Sequence, residues 1–214
     1  MKRVVIIFLL IAAVVNTASA QYDAKAKKVL DAMSAKYKAI PAFSANISQH
    51  LLNKEEDISD DFKGKITVGG EMFKLEMDGQ DIYNNGKTVW TYLKDDNEVN
   101  IDTYDPEDDE MSPSAIYNIY KKGYKYLYLE SKTIGGKVYD IVDLIPEDKS
   151  LQIFKIRMQI GQKDKLLKNW KMFEKNGNRY EYVITNFNPN IKAGTNFFEF
   201  NVAKHAGVDV IDLR

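Results

Sequence analysis

Between Phe62 and Tyr104 the chain reads FKGKITVGGEMFKLEMDGQDIYNNGKTVWTYLKDDNEVNIDTY. Phe73, Leu75 and Met77 alternate there with Lys74, Glu76 and Asp78. A period of two gives an extended strand one apolar face and one charged face. Asn84, Asn85 and Gly86 supply residues tolerant of positive φ for a tight hairpin, and Lys87 to Leu93 resumes with β-branched and aromatic residues. A second turn follows at Asp95 to Glu98. The stretch reads as a β-meander whose apolar side carries Phe73, Leu75, Met77, Trp90 and Tyr92, with no catalytic constellation in it.

The N-terminus sets the compartment. Lys2 and Arg3 precede an apolar run from Val4 to Val15, and Ala18-Ser19-Ala20 stands ahead of Gln21. This is the pattern of a secretory signal peptide cleaved after Ala20. The apolar run is shorter than the roughly 20 residues a membrane-spanning helix needs. Residues 1–20 are therefore expected to be removed, leaving residues 21–214 as a single exported, soluble domain. The chain has no cysteine, so it carries no thioether-linked lipid and no disulfide, and its core must hold the fold alone. Losing Lys2 and Arg3 leaves 28 basic against 31 acidic residues, a formal charge of -3. Such a balance does not suit a nucleic-acid partner.

From Tyr22 to Ile40 the apolar residues Val29, Leu30, Met33, Tyr37 and Ile40 recur every three or four positions, an amphipathic helix ended by Pro41. Phe43, Ala45, Ile47 and Leu51 then alternate as a strand, and the acidic cluster from Glu55 to Asp61 reads as a turn. An acidic loop spans Asp105 to Glu110. A short second helix is expected after it, with Ser112 or Ser114 as cap, Pro113 in the first turn, the stripe Ile116, Tyr117, Ile119, Tyr120, and Gly123 as stop. Strands return over 125–132, 137–145, 151–160, 165–173 and 179–187, separated by Gly- and Asn-rich turns. In the third of these, Phe154, Ile156, Met158 and Ile160 share one side.

The expected fold is mainly β: an unclosed antiparallel β-barrel of about eleven strands, with helices covering the concave apolar face. Leu30 and Met33 of the first helix and Ile116, Ile119 and Tyr120 of the second are the candidate lid residues, the stripe of the second being readable as a movable lid or as a fixed plug. Periodicity leaves open whether the barrel is filled by its own side chains or keeps a hollow for an apolar ligand. The tyrosines 124, 126 and 128 are likewise readable as a groove lining or as cross-strand packing.

Three motifs resemble the periplasmic outer-membrane lipoprotein carrier family, LolA. They are Phe62-Lys63-Gly64-Lys65-Ile66 leading through Met72 to Met77 into Asn85-Gly86-Lys87-Thr88-Val89-Trp90-Thr91-Tyr92; then Ser112-Pro113-Ser114-Ala115-Ile116; then Asn196-Phe197-Phe198-Glu199-Phe200 with Gly207-Val208-Asp209-Val210-Ile211-Asp212. The resemblance implies a non-enzymatic, monomeric periplasmic carrier without cofactor. It would receive acylated lipoproteins from an inner-membrane ABC lipoprotein-releasing transporter and pass them to an outer-membrane acceptor. Hydrophobic-cavity residues would include Phe73, Leu75, Met77, Trp90, Tyr92, Phe154, Ile156, Met158 and Ile160, with Trp90 readable either as pointing into the hollow or as supporting its wall. An envelope sensor that binds lipid or lipoprotein for a regulatory protein is the alternative on the same scaffold. Where well-studied carriers have an Arg-Pro pair that tethers the lid, this chain has Gly69-Gly70-Glu71, and Ala203-Lys204-His205-Ala206 replaces a Pro near the end. These departures mark a divergent member.

Other chemistry finds little support. His50 and His205 are far apart in sequence and no cysteine accompanies them, so no metal site is expected. The acidic loop lacks calcium-loop spacing. No nucleophile elbow and no phosphate-binding glycine loop is present.

Overall fold

The computed structural model describes residues 22–105, 112 and 115–214. The expected signal peptide, the acidic stretch 106–110, Pro113 and Ser114 lie outside the described residues.

Helix α1 spans Ala24–Lys38 and buries Ala26, Leu30, Met33, Ser34 and Tyr37; of the expected stripe Leu30, Met33 and Tyr37 are buried, and Val29 and Ile40 are half-buried. Asp23 caps it: Oδ1 accepts the backbone N–H groups of Lys25 at 2.7 Å and Ala26 at 3.1 Å, two donors with no partner inside the helix. Its Oδ2 accepts the N–H of Tyr128 at 3.0 Å, so one carboxylate both starts the helix and ties it to the sheet. Burial opposes ionisation of Asp23, but these three N–H donors and Lys25 outweigh it and hold the carboxyl below its usual range. Lys36 and Lys38 lie in the last turn, where cations complement the helix dipole.

Among the described residues there are twelve strands: β1 (Phe43–Asn53), β2 (Ile58–Gly69), β3 (Met72–Met77), β4 (Gln80–Asn84), β5 (Thr88–Leu93), β6 (Glu98–Thr103), β7 (Tyr124–Ile134), β8 (Lys137–Pro146), β9 (Ile153–Gly161), β10 (Leu167–Glu174), β11 (Arg179–Asn188) and β12 (Asp209–Asp212). They form one open sheet in the order β12-β6-β5-β4-β3-β2-β1-β11-β10-β9-β8-β7. Sequential hairpins build both halves, and the long-range pair β1–β11 joins them. The additional strand is β12, which runs parallel to β6, in contrast to the all-antiparallel expectation.

The turns show why local chemistry matters. At the β4–β5 hairpin Gly86 has φ 85° and is the residue there with positive φ. Asn84 and Asn85 act through their side chains instead: Asn84 Oδ1 accepts from Gly86 N at 2.6 Å, and Asn85 Oδ1 from Thr88 N at 3.0 Å. Asp60 and Asp61 lie in β2, since that strand starts at Ile58, and the preceding turn is shorter than expected.

The expected second helix is also different. Residues 115–118 form turns and Ile119–Lys121 a single 3-10 turn, with Asn118 N bonded to Ala115 O and Lys121 N to Asn118 O. Ile116, Tyr117, Ile119 and Tyr120 are poor helix formers, and so short a segment gains too little to offset nucleation. Gly123, at φ 74°, ends it as expected.

One hydrophobic cluster runs from Phe73 in β3, with Ile82 of β4 against it, through α1 to Tyr126 of β7. On a flat sheet the eight steps from β4 to β7 would span about 38 Å, at about 4.8 Å per step. A helix of 15 residues is only about 22 Å long. A single cluster therefore requires the sheet to curl around α1. Tyr124 and Tyr126 are buried in this cluster, and Tyr126 packs against Tyr22 at 5.2 Å and Tyr120 at 6.2 Å, which makes the tyrosine run core packing.

Candidate functional site

The face of the sheet that wraps α1 holds the site. The 115–122 segment lies beside the helix and the two are laced together. Tyr120 OH donates to Asp31 Oδ1 at 2.7 Å, Ser34 Oγ to Asn118 Oδ1 at 2.6 Å, and Lys121 Nζ to both Ser34 Oγ and Asn118 Oδ1. The rings of Tyr37 and Tyr117 stack at 4.6 Å and 3°. Burial pushes the Tyr117 hydroxyl above its usual titration range, and the nearby charge of Glu71 adds to this.

Past this segment the curled face is incompletely filled. An apolar cavity of about 240 Å³ is lined by Ile47, Leu75, Met77, Trp170, Met172 and Tyr182, with Gln49, Phe62, Lys63 and Gly64 completing it. Phe62 is half exposed. Gly64 pairs with Ile47 and Met77 and thus shares their face. A Cβ there would stand 2.6 Å from Glu76 O and 3.0 Å from Met77 Cγ, so only glycine leaves this wall open. Met77 and Met172 supply flexible thioethers that repack around varied shapes. The Trp170 ring stacks on Tyr182 at 4.6 Å and 6°, and burial raises the Tyr182 hydroxyl to about 12. A second, smaller cavity of about 30 Å³ lies under the lid, between Tyr37, Ile116, Tyr117, Ile66, Leu167 and Trp170. Ile47 and Trp170 border both spaces.

The nine residues expected to line a cavity divide four ways. Leu75 and Met77 line the larger cavity. Phe73, Ile156, Met158 and Ile160 face the same side but are buried in the main cluster with Leu30, Met33, Ile116, Ile119 and Tyr120. The five candidate lid residues are therefore brought together in one packed cluster.

Trp90 and Tyr92 are on the other side of the sheet. Leu75 pairs with Ile82, and Ile82 with Thr91, which puts Thr91 on the Leu75 face and the neighbours Trp90 and Tyr92 on the reverse. There they pack against a separate core of Tyr83, Val99 and Phe200 built by the C-terminal segment. Tyr92 lies 5.1 Å from the Phe200 ring and 4.7 Å from His205.

Phe154 also leaves the expected face. Lys155 pairs with Phe173 but Ile153 with Glu174, so a bulge at Phe154 breaks the alternation. Ile153 packs toward the core, and Phe154, 40% exposed, lies 6.2 Å from Phe173 near Lys155 and Arg179.

The lining residues that the sequence reading missed are Ile47, Gln49, Phe62, Lys63, Gly64, Trp170, Met172 and Tyr182. Alternation of Trp170 with Met172 and of Tyr180 with Tyr182 was the available signal.

The reverse face is charged in register. Asp61, His50, Glu181, Lys171, Arg157 and Asp143 are successive cross-strand partners from β2 to β8. Three close pairs result: His50 Nδ1 to Asp61 at 2.8 Å, Lys171 to Glu181 at 2.8 Å, and Arg157 to Asp143 at 2.7 Å. This ladder accounts for Asp61 of β2 as solvent-side pairing. No group of three or more potential metal ligands occurs among the described residues.

Comparison with known proteins agrees with this geometry. Residues 38–201 match the family model of the outer membrane lipoprotein carrier protein LolA. Among curated proteins no sequence matches significantly. Among solved structures, an uncharacterized conserved protein from Thermus thermophilus is similar with a TM-score of 0.61 at 10% identity, over 88% of this chain and 99% of that one. A putative outer membrane lipoprotein-sorting protein domain from Vibrio parahaemolyticus gives 0.48 at 13% identity, over 84% and 98%. A LolA superfamily protein from Nitrosomonas europaea gives 0.46 at 11%, over 82% and 97%. The motif order, the open curled sheet and a family match across most of the chain together show that this chain belongs to the LolA family of outer-membrane lipoprotein carriers.

Proposed function

We propose that residues 21–214, released by cleavage after Ala20, form a periplasmic carrier that shelters the acyl chains of lipoproteins between the inner and outer membranes. An inner-membrane ABC transporter would load it and an outer-membrane acceptor would unload it. The observation that carries the reading is the unfilled cavity of Leu75, Met77, Trp170 and Met172 beside a lid. Each chain CH₂ exposed to water costs about 0.8 kcal/mol, so acylated cargo needs a covered path. The cavity of about 240 Å³ is smaller than typical pockets for drug-sized ligands, about 300–1,000 Å³. A full-length chain thus requires the lid to move and join the smaller cavity to the larger.

The test is titration of the mature protein with a fluorescent acyl probe, together with native mass spectrometry of protein purified from a periplasm. Bound lipid and saturable probe binding are expected. Met77→Glu puts a carboxylate against the chain and should weaken the probe at least tenfold (about 1.4 kcal/mol) with the unfolding midpoint nearly unchanged, because Met77 lies outside the main buried cluster. An empty mass spectrum and no probe binding would overturn the carrier reading. Capture of a membrane regulator in place of a transporter would turn it into a sensor.

A further inference from the structure

The outer face of the sheet changes character one row below the charged ladder. In the ladder Arg157 pairs with Asp143 and Lys171 with Glu181, so their charges cancel. Two residues further along each strand, Lys125 stands opposite Ile145, and Lys155 opposite Phe173, which in turn stands opposite Arg179. Alternation puts these residues on the outer side, because their strand neighbours Tyr124, Leu144, Ile156 and Met172 are buried in the core. The row thus holds three cations and no carboxylate. Among the described residues none of the three cations makes an ion pair.

Apolar side chains on the same face are left in water. Ile145 is 42% exposed, and Leu127, two residues from Lys125, is 43% exposed. The bulge in β9 brings the Phe154 ring to 6.2 Å from Phe173. Lys155 Nζ lies 4.2 Å and Arg179 Cζ 5.3 Å from the centre of the Phe173 ring, so rings and cations form one cluster. Glu147, Asp148 and Glu174 border the row, and each is bonded within the chain, to Tyr22, Ser150 and Asn178. The acidic turn Glu55 to Asp57 follows β1, whose Leu52 is the partner of Arg179, and it confines the cationic surface to β7–β11.

This combination selects its partner. An acidic protein would satisfy the cations but would need apolar pockets for Leu127, Ile145 and Phe154. A layer of anionic headgroups over hydrocarbon takes both kinds of side chain at once: aromatic rings settle at headgroup level, and Lys and Arg gain from the surface charge. We propose that the outer face of β7–β11 at this row is a docking surface for an anionic phospholipid membrane, with Phe154, Ile145 and Leu127 entering the headgroup layer and Lys125, Lys155 and Arg179 meeting its phosphates. The inference goes beyond the carrier reading, since it concerns where the protein rests on a bilayer and is independent of what the cavity holds.

The experiment is cosedimentation of the mature protein with vesicles of phosphatidylcholine alone and of equal parts phosphatidylcholine and phosphatidylglycerol. Each cation near an anionic surface adds about fivefold to partitioning, so wild type should favour the mixed vesicles about a hundredfold. That preference should vanish between about 0.01 M and about 1 M salt, as the screening length falls from about 30 Å to about 3 Å. Lys125→Gln with Lys155→Gln should weaken binding to the mixed vesicles about 25-fold. Phe154→Ser should weaken it about tenfold, with unfolding midpoints nearly unchanged because these side chains lie outside the buried core. Lys63→Gln with Lys65→Gln removes two exposed cations of β2 and should have little effect. Met77→Glu, which disables the cavity, should bind vesicles as wild type does. Equal partition onto both vesicles, a loss of equal size in the β2 pair, or a loss in Met77→Glu would overturn the docking surface. Retention by an acidic protein without vesicle binding would overturn it as well and assign the row to a protein partner. The acyl-probe titration decides the carrier reading separately.

Discussion

Replacing Tyr120 by Phe isolates one link between the 115–122 segment and α1. The Tyr120 ring is buried and packs on Tyr126, and Phe keeps that packing. What is lost is the 2.7 Å bond from its hydroxyl to Asp31 Oδ1. A hydrogen bond to a charged group contributes about 1.5–3 kcal/mol, but the Asp31 side chain is 47% exposed and also pairs with Lys27 at 2.6 Å. Solvent and Lys27 compensate for part of the loss, so about 1 kcal/mol is the expected effect on lid closure. That corresponds to an increase of about fivefold in the open population. Hydrogen exchange reads this directly: Asn118 and Lys121 amides, bonded within the lid, should exchange about fivefold faster, with β9 amides changing less. The pH dependence gives a second check. Lys27 first, then Tyr120, hold the Asp31 carboxyl below its ordinary value of 3.8, so the bond's contribution is complete above that value and fades as pH falls through the lower folded one. Burial and Asp31 push the Tyr120 hydroxyl above its ordinary 10, so its contribution is complete below that value and is lost only as pH rises through the folded one. The difference between wild type and Tyr120→Phe should therefore be constant from neutral pH down to about 4 and shrink below it. Equal lid exchange in both proteins, or an undiminished difference in strong acid, would refute the latch.

Asp23→Ala removes the α1 cap and the acceptor for Tyr128 N; it should cost about 1–2 kcal/mol in urea unfolding, and Asp23→Asn should recover most of it. Gly69→Ala would set a Cβ 2.8 Å from Cζ of the fully buried Phe198, so overpacking should cost about 1–3 kcal/mol in the same assay.

Much of the fold was legible because it is local. Alternation along β3, the hairpin glycine at Gly86 and the stripe of α1 each depend on residues close in sequence, and all appear where expected. The misplaced cavity residues share one cause, which is parity. Trp90 and Tyr92 look like continuations of the Phe73–Met77 face, yet the register through Asn84↔Val89 puts them on the reverse side. Phe154 alternates with Ile156 and Met158 on paper, and one bulge turns it outward. The groove itself was the least legible part. Its walls come from β1, β2, β3, β10 and β11, which meet only through the long-range β1–β11 pairing. Nor does alternation distinguish a fully packed face, such as Ile156, Met158 and Ile160 beneath α1, from the open one beside it.

The missing Arg-Pro pair follows from the same geometry. Gly70 at the β2–β3 hairpin has φ 65°, a conformation closed to proline, whose ring holds φ near −65°. Gly69 cannot carry a side chain without displacing Phe198, which the C-terminal segment packs against it. Phe198 occupies the room that a side chain at position 69 would need, and position 70 is closed to proline, so an Arg-Pro pair does not fit at positions 69 and 70. The fastening is found instead on α1, in Asp31 with Tyr120, in Ser34 with Asn118 and Lys121, and in the Tyr37–Tyr117 stack. Aromatic stacking of this kind adds about 0.5–1.5 kcal/mol beyond area burial, so the polar bonds and the stack are comparable in strength. Tyr37 belongs both to that stack and to the wall of the small cavity, so the contact between α1 and the 115–122 segment and the shape of that space depend on one side chain.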